Sequence, residues 1–213
     1  MYNNIDDTEV VVFIMAKRNH IKFERAGTTM EIVKKQFPKL AVDKDLAWSN
    51  LEGFVAFNSP THVLGRTFPW IEPDPEHKGL VNDKEHGLLT FWPDVLPTDS
   101  SLQNYIEMFK LFGFRECFHP TFDPEWTKIL IYADKNEFKS VSLIRPYGLC
   151  TTKLGSGPII THHPESLTSG PYGNIVMCMM RPAKRNHRED LEVINKYGGE
   201  LARQIFKTPK LAY

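Results

Sequence analysis

The sequence predicts an α+β fold in which N-terminal helices are followed by an antiparallel β-meander and then by a C-terminal helix. Two patterns predict it. Apolar residues recur at helical spacing in the first half and near the end, and short β-branched runs separated by tight turns fill residues 128–153. The chain has 213 residues, 41% hydrophobic and 24% charged. Since this is close to an average soluble domain, we expect one compact domain rather than a disordered or collagen-like chain.

The first part of the chain predicts a strand and two helices. The apolar, β-branched run at 10–15 is typical of a buried strand. Thr28 and Glu31 have the spacing of a capping box, and the helix that they start must end before Pro38. A second helix is predicted at 45–57, where apolar residues form a broad face.

The middle of the chain predicts a third helix and then the meander. A good N-cap at Thr98–Asp99 and a helical repeat of apolar residues predict a helix that Gly113 ends. Strands are predicted at Lys128–Ala133, Phe138–Ile144 and Leu149–Lys153, with a further strand at Asn174–Met180.

The end of the chain has a helical pattern at 187–206, interrupted at Gly198–Gly199. We therefore divide the chain into one α+β domain at 1–182, whose residues 1–36 form an N-terminal extension, and a basic linker with the C-terminal helix at 183–213.

A long connection is predicted from Asn58 to Pro97, because prolines and aromatic residues are frequent there and no period is sustained. Phe68, Trp70 and Trp92 are its candidate binding residues. The net charge between Glu72 and Glu125 is about −7. This aromatic and acidic region is the predicted contact surface for another protein.

A basic segment opens the C-terminal region, which has a net charge of about +4 from Arg181 onward. Arg181, Lys184, Arg185 and Arg188 are candidate contacts for nucleic acid or phosphate. A solvated linker explains the same four charges, and the chain as a whole has no net charge to attract nucleic acid.

Three widely spaced cysteines, Cys117, Cys150 and Cys178, are typical of a reducing compartment rather than of a disulfide framework. The N-terminus lacks the basic start of a signal peptide, and no apolar run approaches the roughly 18 residues of a membrane span. We therefore expect a cytoplasmic protein with no membrane partner.

The second half of the chain resembles an uncharacterised bacterial domain family. The resemblance covers Phe37 to Pro182 and includes an opening Phe37-Pro-Lys-Leu40. The motifs that carry it, in order, are Trp92-Pro93, Lys128-Ile-Leu-Ile-Tyr-Ala-Asp134, Thr151-Thr-Lys-Leu-Gly155, His162, Pro171-Tyr-Gly173 and Met180-Arg-Pro182.

This resemblance implies a papain-like thiol hydrolase, since members carry an Asn-Cys pair at the start of the first long helix and a His on the second meander strand. A helix N-terminus stabilises a thiolate, and an imidazole activates it. This chain departs from that layout. If Asn50 is the matching Asn, Leu51 occupies the Cys position; in another register Phe54 does; and Ser140 stands near the His position. Neither the nucleophile nor the base is present.

The leading hypothesis is therefore a catalytically degenerate, papain-like domain that binds another protein, a role that would suit a viral or mobile-element origin. The alternative is a hydrolase with relocated groups, in which Cys117 or Cys150 is the nucleophile and His119 or His162 the base. We expect no metal or cofactor, because Cys117-Phe-His119 does not have a recurrent zinc-ligand spacing.

Overall fold

The computed structural model of the protein describes residues 30–49, 57–65, 69–83, 88–155, 158–168, 170–185 and 187–205. Within these residues the fold is α+β, with antiparallel pairing throughout the larger sheet and helices at the C-terminal end. The predicted class is confirmed at this level. The strand predicted at 10–15 and the cap at Thr28 lie outside the described residues.

The helices are short, and most of them fall where the sequence predicts them. They are α1 (Met30–Gln36), α2 (Pro38–Ala41), α3 (Ser59–Leu64), α4 (Leu102–Leu111), α5 (His187–Tyr197) and α6 (Gly199–Ile205). The first helix ends before Pro38, as its pattern requires. α4 ends at Leu111, and Gly113 follows its C-cap with a φ of +82° that suits glycine. The break between α5 and α6 falls at the predicted glycine pair.

The strands form two sheets. They are β1 (Ala47–Ser49), β2 (Trp70–Ile71), β3 (Gly79–Asp83), β4 (Leu88–Trp92), β5 (Arg115–Glu116), β6 (Trp126–Asp134), β7 (Glu137–Ile144), β8 (Cys150–Lys153), β9 (Ile159–His162) and β10 (Asn174–Pro182). Among the described residues the larger sheet has the order β1-β9-β8-β7-β6-β10-β5, and the smaller sheet has the order β2-β4-β3. The predicted meander is confirmed as β6, β7 and β8, and β9 continues it.

Two predictions in the first half are wrong. Residues 47–49 form a strand that pairs with β9, not the start of a helix, and residues 50–56 lie outside the described part of the chain. The predicted long connection at 58–97 instead contains α3 and the smaller sheet. Elements of two to six residues are too short for a hydrophobic period to appear, and their partners are distant in sequence.

The larger sheet separates two hydrophobic clusters. Alternate residues of β6 point to opposite faces, so Ile129 and Ile131 join one cluster while Leu130 and Tyr132 join the other. We call these the major and the minor cluster. The major cluster contains α4 and the smaller sheet, and α5 and α6 pack into it through residues such as Ile194; the minor cluster contains α1 and α2.

Candidate functional site

The beginning of α3 is fixed by a buried asparagine. Asn58 has an extended backbone, and its Oδ1 accepts hydrogen bonds from the backbone N–H of Thr61 at 3.3 Å and from its Oγ1 at 2.9 Å. The Asn58 Nδ2 donates to the carbonyl of Ile71 on β2 at 2.7 Å. One side chain therefore caps the helix and ties it to the smaller sheet.

Ser59, the first residue of α3, meets the second strand of the meander. Its Oγ lies 3.3 Å from the Oγ of Ser140 on β7, and the two residues are only 6% and 1% exposed. The hydroxyl of Tyr172 also forms a hydrogen bond with Ser140. Burial raises the pKa of this hydroxyl to about 12, and the hydrogen bond opposes that shift. We call Ser59 and Ser140 the serine pair.

The residues that the sequence suggests for the nucleophile position, Leu51 and Phe54, lie outside the described residues. Asn58 and Ser59 stand at the start of α3, and Ser59 faces Ser140 on the second meander strand. An N-cap residue followed by a proline in the first turn is typical of a helix start, so the Asn-Ser-Pro sequence could have predicted the start of α3.

A second row of hydroxyls leads to His162. The hydroxyls of Ser142 and Thr152 are hydrogen-bonded, and the Thr152 Oγ1 lies 2.7 Å from the His162 Nε2. The His162 Nδ1 lies 2.7 Å from the carbonyl of His163, so Nδ1 carries the proton and Nε2 accepts from Thr152. Burial lowers the pKa of His162 to about 4, which makes this imidazole neutral at pH 7.

The fold places one of the relocated pairs side by side, since Cys150 on β8 is directly opposite His162 on β9 and both are fully buried. Both ring nitrogens of His162 are bonded to other groups, Nε2 to Thr152 and Nδ1 to the carbonyl of His163. Cys117 Sγ donates to the backbone carbonyl of His119 at 3.3 Å, so the thiol contacts a peptide group of that residue. Cys150 is fully buried, and burial raises the pKa of its thiol to about 12. These contacts are structural.

One of the aromatic candidates, Trp92, does not belong to a contact surface. Trp92 is 1% exposed, and its Nε1–H donates to the carbonyl of Pro97 at 2.7 Å, so it belongs to the major cluster and not to a contact surface. Trp70 is half-buried and donates to Glu72 at 2.5 Å. Phe68 lies outside the described residues. The prediction for Trp92 was wrong because aromatic residues in an aperiodic stretch are as typical of a core as of a contact surface.

The basic candidates divide into buried and exposed residues. Arg181 is buried, and its Nη1 contacts the two carboxylate oxygens of Asp190 at 2.7 and 2.9 Å; Arg185 Nε contacts the same carboxylate at 2.8 Å. Arg188 is exposed and lies 3.6 Å from Glu192, and Lys184 is exposed. Arg181 is therefore not available to nucleic acid, because its charge is used inside the fold.

One group of side chains has the composition of a metal site. Single ligand atoms of Asp43, Asp45 and His163 lie within 4.8 Å of one another. The Asp43 Oδ2 already accepts from Ser166 Oγ at 2.5 Å and from the His163 N–H at 2.8 Å, and Asp45 bonds the His163 Nε2 at 2.8 Å. These bonds account for the group, which holds the turn after α2 against the turn after β9.

Part of the chain matches a known protein family. Residues 54–180 match a family described as a domain of unknown function (DUF7689). No curated protein and no solved structure matches the chain. No helix within the described ranges is both long and apolar enough to cross a membrane. The matched region contains Asn58, the serine pair and the whole meander, and it covers more than half of the chain. The protein therefore belongs to this uncharacterised family.

Proposed function

We propose that the protein is a non-catalytic member of its family that acts by binding another protein. The observation that carries the proposal is the serine pair, in which two buried hydroxyls face each other at 3.3 Å. We assign to Ser59, in place of Leu51 or Phe54, the thiol position that the resemblance to papain-like hydrolases implies, and to Ser140 the imidazole position.

Two hydroxyls cannot replace a thiol and an imidazole. A serine hydroxyl attacks a carbonyl only when an adjacent base removes its proton, and a second serine hydroxyl is not such a base. The imidazole of His62 bonds Thr151 at 3.1 Å, and that of His162 bonds Thr152. Ser59 is therefore expected to remain protonated and unreactive at neutral pH.

Three exposed apolar side chains, which lie just after β5 and on the neighbouring strand β10, support protein binding. Phe118 and Phe122 lie in the segment between β5 and β6 and are 90% and 44% exposed. Val176, also exposed, lies on β10, the strand next to β5. We call these three residues the edge patch. Exposed aromatic residues at one edge are typical of contact surfaces, whereas single exposed apolar residues need no explanation.

The first test asks whether Ser59 is reactive. The whole protein is incubated with a fluorophosphonate probe, which labels activated serines, beside a Ser59→Ala variant and a known serine hydrolase. We expect no labelling of the wild type. Labelling that disappears in Ser59→Ala would identify a serine hydrolase and contradict the proposal.

The second test asks whether the edge patch binds a protein. The wild-type chain and a Phe118→Ala/Phe122→Ala variant are used as baits in the cells that produce the protein naturally. Tyr147→Ala is the matched control, because Tyr147 is also an exposed aromatic residue but lies in the turn between β7 and β8. We expect a partner that the wild type and Tyr147→Ala retain and the double variant loses. Equal recovery by all three baits would exclude the edge patch as the binding surface.

A further inference from the structure

We propose that Cys117 and Cys178 are a redox-sensitive pair, which a peroxide or a small-molecule disulfide converts into a reversible cross-strand disulfide between the β5 end and β10. The disulfide itself does not depend on the function proposed above.

The pairing of β5 with β10 places the two cysteines directly opposite each other. Met180 pairs with Arg115 and Met179 with Glu116, so the next pair in the same antiparallel register is Cys178 with Cys117. The N–H of Cys117 donates to the carbonyl of Cys178 at 2.9 Å, which extends the ladder to this pair. Directly opposed residues have Cα atoms about 4.5–5.5 Å apart, within the range that disulfides span.

The side chains of this pair interact. Burial raises the pKa of Cys178 to about 12, and a hydrogen bond with the Cys117 thiol contributes to that shift. Both residues are half-buried, so the pair is accessible from the sheet edge. The charge of Lys128 opposes the rise in the pKa of Cys178 only in part, so this pKa stays raised and the thiol stays protonated at neutral pH. The Lys128 Nζ donates to the carbonyl of His119 at 3.1 Å, two residues beyond Cys117.

The chemistry with a peroxide balances without any other component. The Cys117 thiolate attacks one peroxide oxygen, the O–O bond breaks, and a sulfenic acid and water form. The Cys178 sulfur then attacks the Cys117 sulfur and displaces a second water. Two S–H bonds and one O–O bond are lost, while one S–S bond and two O–H bonds form, because the two thiol protons end on the peroxide oxygens; both sulfurs are oxidised and the peroxide is reduced. A small-molecule disulfide gives the same product through a mixed disulfide and releases two thiols.

The disulfide would fix the edge of the larger sheet. β5 has only two residues, and Phe118 follows Cys117 directly. A covalent link at Cys117 would hold this short strand on β10 and would join Phe118 to the strand that carries Val176. If the edge patch binds a partner as proposed, oxidation would change that binding; this consequence alone depends on the proposed function.

The test is disulfide mapping on the whole native protein. The reduced protein is treated with hydrogen peroxide or oxidised glutathione, free thiols are alkylated after denaturation, and the peptides are identified by mass spectrometry. We expect a linked peptide that contains Cys117 and Cys178, lighter than its parts by two hydrogen atoms and lost on reduction, while Cys150 is alkylated. Cys150→Ser should form the same link, and Cys117→Ser should not.

A second readout is thermal stability. Because the link closes a loop of about 60 residues, the oxidised protein should melt roughly 5–10 °C above the reduced protein. Three results would overturn the proposal: alkylation of Cys117 and Cys178 unchanged by oxidant, a glutathione adduct on either cysteine that does not proceed to the link, or a link that includes Cys150. Since the mapping uses the wild-type chain, a variant that fails to fold does not affect its outcome.

Discussion

Two buried polar networks occupy opposite faces of the larger sheet, and they differ in charge. On the face of the major cluster, Arg181 and Arg185 share the carboxylate of Asp190. On the face of the minor cluster, Ser142, Thr152 and His162 form a neutral row of hydroxyls that ends at an uncharged imidazole. The charged network joins β10 to α5, whereas the neutral row links the neighbouring strands β7, β8 and β9.

The difference shows which of the candidate residues have a structural role and which could have had a catalytic one. The Arg181 guanidinium also donates to the carbonyls of Phe112 and Leu64 and lies 4.8 Å from the ring centre of Phe114. A cation with this many internal partners holds the fold together. The members of the neutral row and of the serine pair carry no charge of their own at neutral pH, and this is the physical basis of the non-catalytic proposal.

The largest effect is expected where a charge loses its partner. Asp190→Ala leaves two arginines at the major cluster without their carboxylate and should lower the free energy of unfolding by about 3–5 kcal/mol. Urea denaturation measures this loss. Glu192→Ala is the control, because its ion pair with Arg188 is exposed and long, and it should have almost no effect. If the two variants lose the same stability, the charged network does not stabilise the fold.

The next largest effect is a pH dependence of the free energy of unfolding, which comes from His162 in the neutral row. The pKa of His162 is about 4 in the folded protein and about 6.5 when unfolded. As pH falls from 6.5 to 4, the unfolded chain takes up a proton that the folded chain does not, so the free energy of unfolding should fall, by about 3 kcal/mol in total.

Urea denaturation of the wild type and His162→Asn across this pH range isolates the effect. Other groups titrate in the same window, His187 among them, but they do so in both proteins and cancel in the difference. The variant should be less stable at pH 7 and should lose less stability on acidification. Parallel curves would mean that His162 is charged or accessible in the folded state.

A smaller effect is expected from interrupting the neutral row. Thr152→Val removes the hydroxyl that joins Ser142 to His162 and should cost about 1–3 kcal/mol, because two buried polar groups lose a partner. Thr127→Val on β6 is the matched control, since this threonine lies in a strand but outside the row. A loss no greater than that of the control would show that the row contributes little to stability.

The smallest effect is expected at the serine pair. Ser59→Ala removes one weak hydroxyl contact and should change the free energy of unfolding by about 1 kcal/mol or less. Partner recovery in the bait experiment should not change. A variant that folds as well as the wild type yet loses the partner would give Ser59 a functional role that the account does not assign.

The sequence predicted the long elements well and the short ones poorly. β6, β7 and β10 have eight or nine residues each, enough for β-branched runs and turns to be recognised, and α4 has a full helical repeat. α3 and β2 have six and two residues. Their positions depend on tertiary contacts such as the bond from Asn58 to Ile71, which no local pattern encodes.

The residues of the candidate site were predicted less well, because they too meet only through contacts between segments that are distant in sequence. Ser140 was chosen because the meander was recognised, but its partner Ser59 lies 81 residues earlier on a helix that was not. Arg181 looked like part of a solvated basic segment because its partner Asp190 comes one element later. Cys117 and Cys178 become neighbours only through the strand register, which composition cannot give.

We propose that Ser59 and Ser140 stand where a thiol and an imidazole would form an ion pair. The most direct test is ultraviolet titration of thiolate formation in Ser59→Cys and in Ser59→Cys/Ser140→His, with the wild-type titration subtracted to remove the native cysteines. The account predicts that the thiol of the single variant titrates high, because the position is buried, and that the added imidazole brings its pKa to about 7 or lower. The same pKa in both variants would contradict the claim.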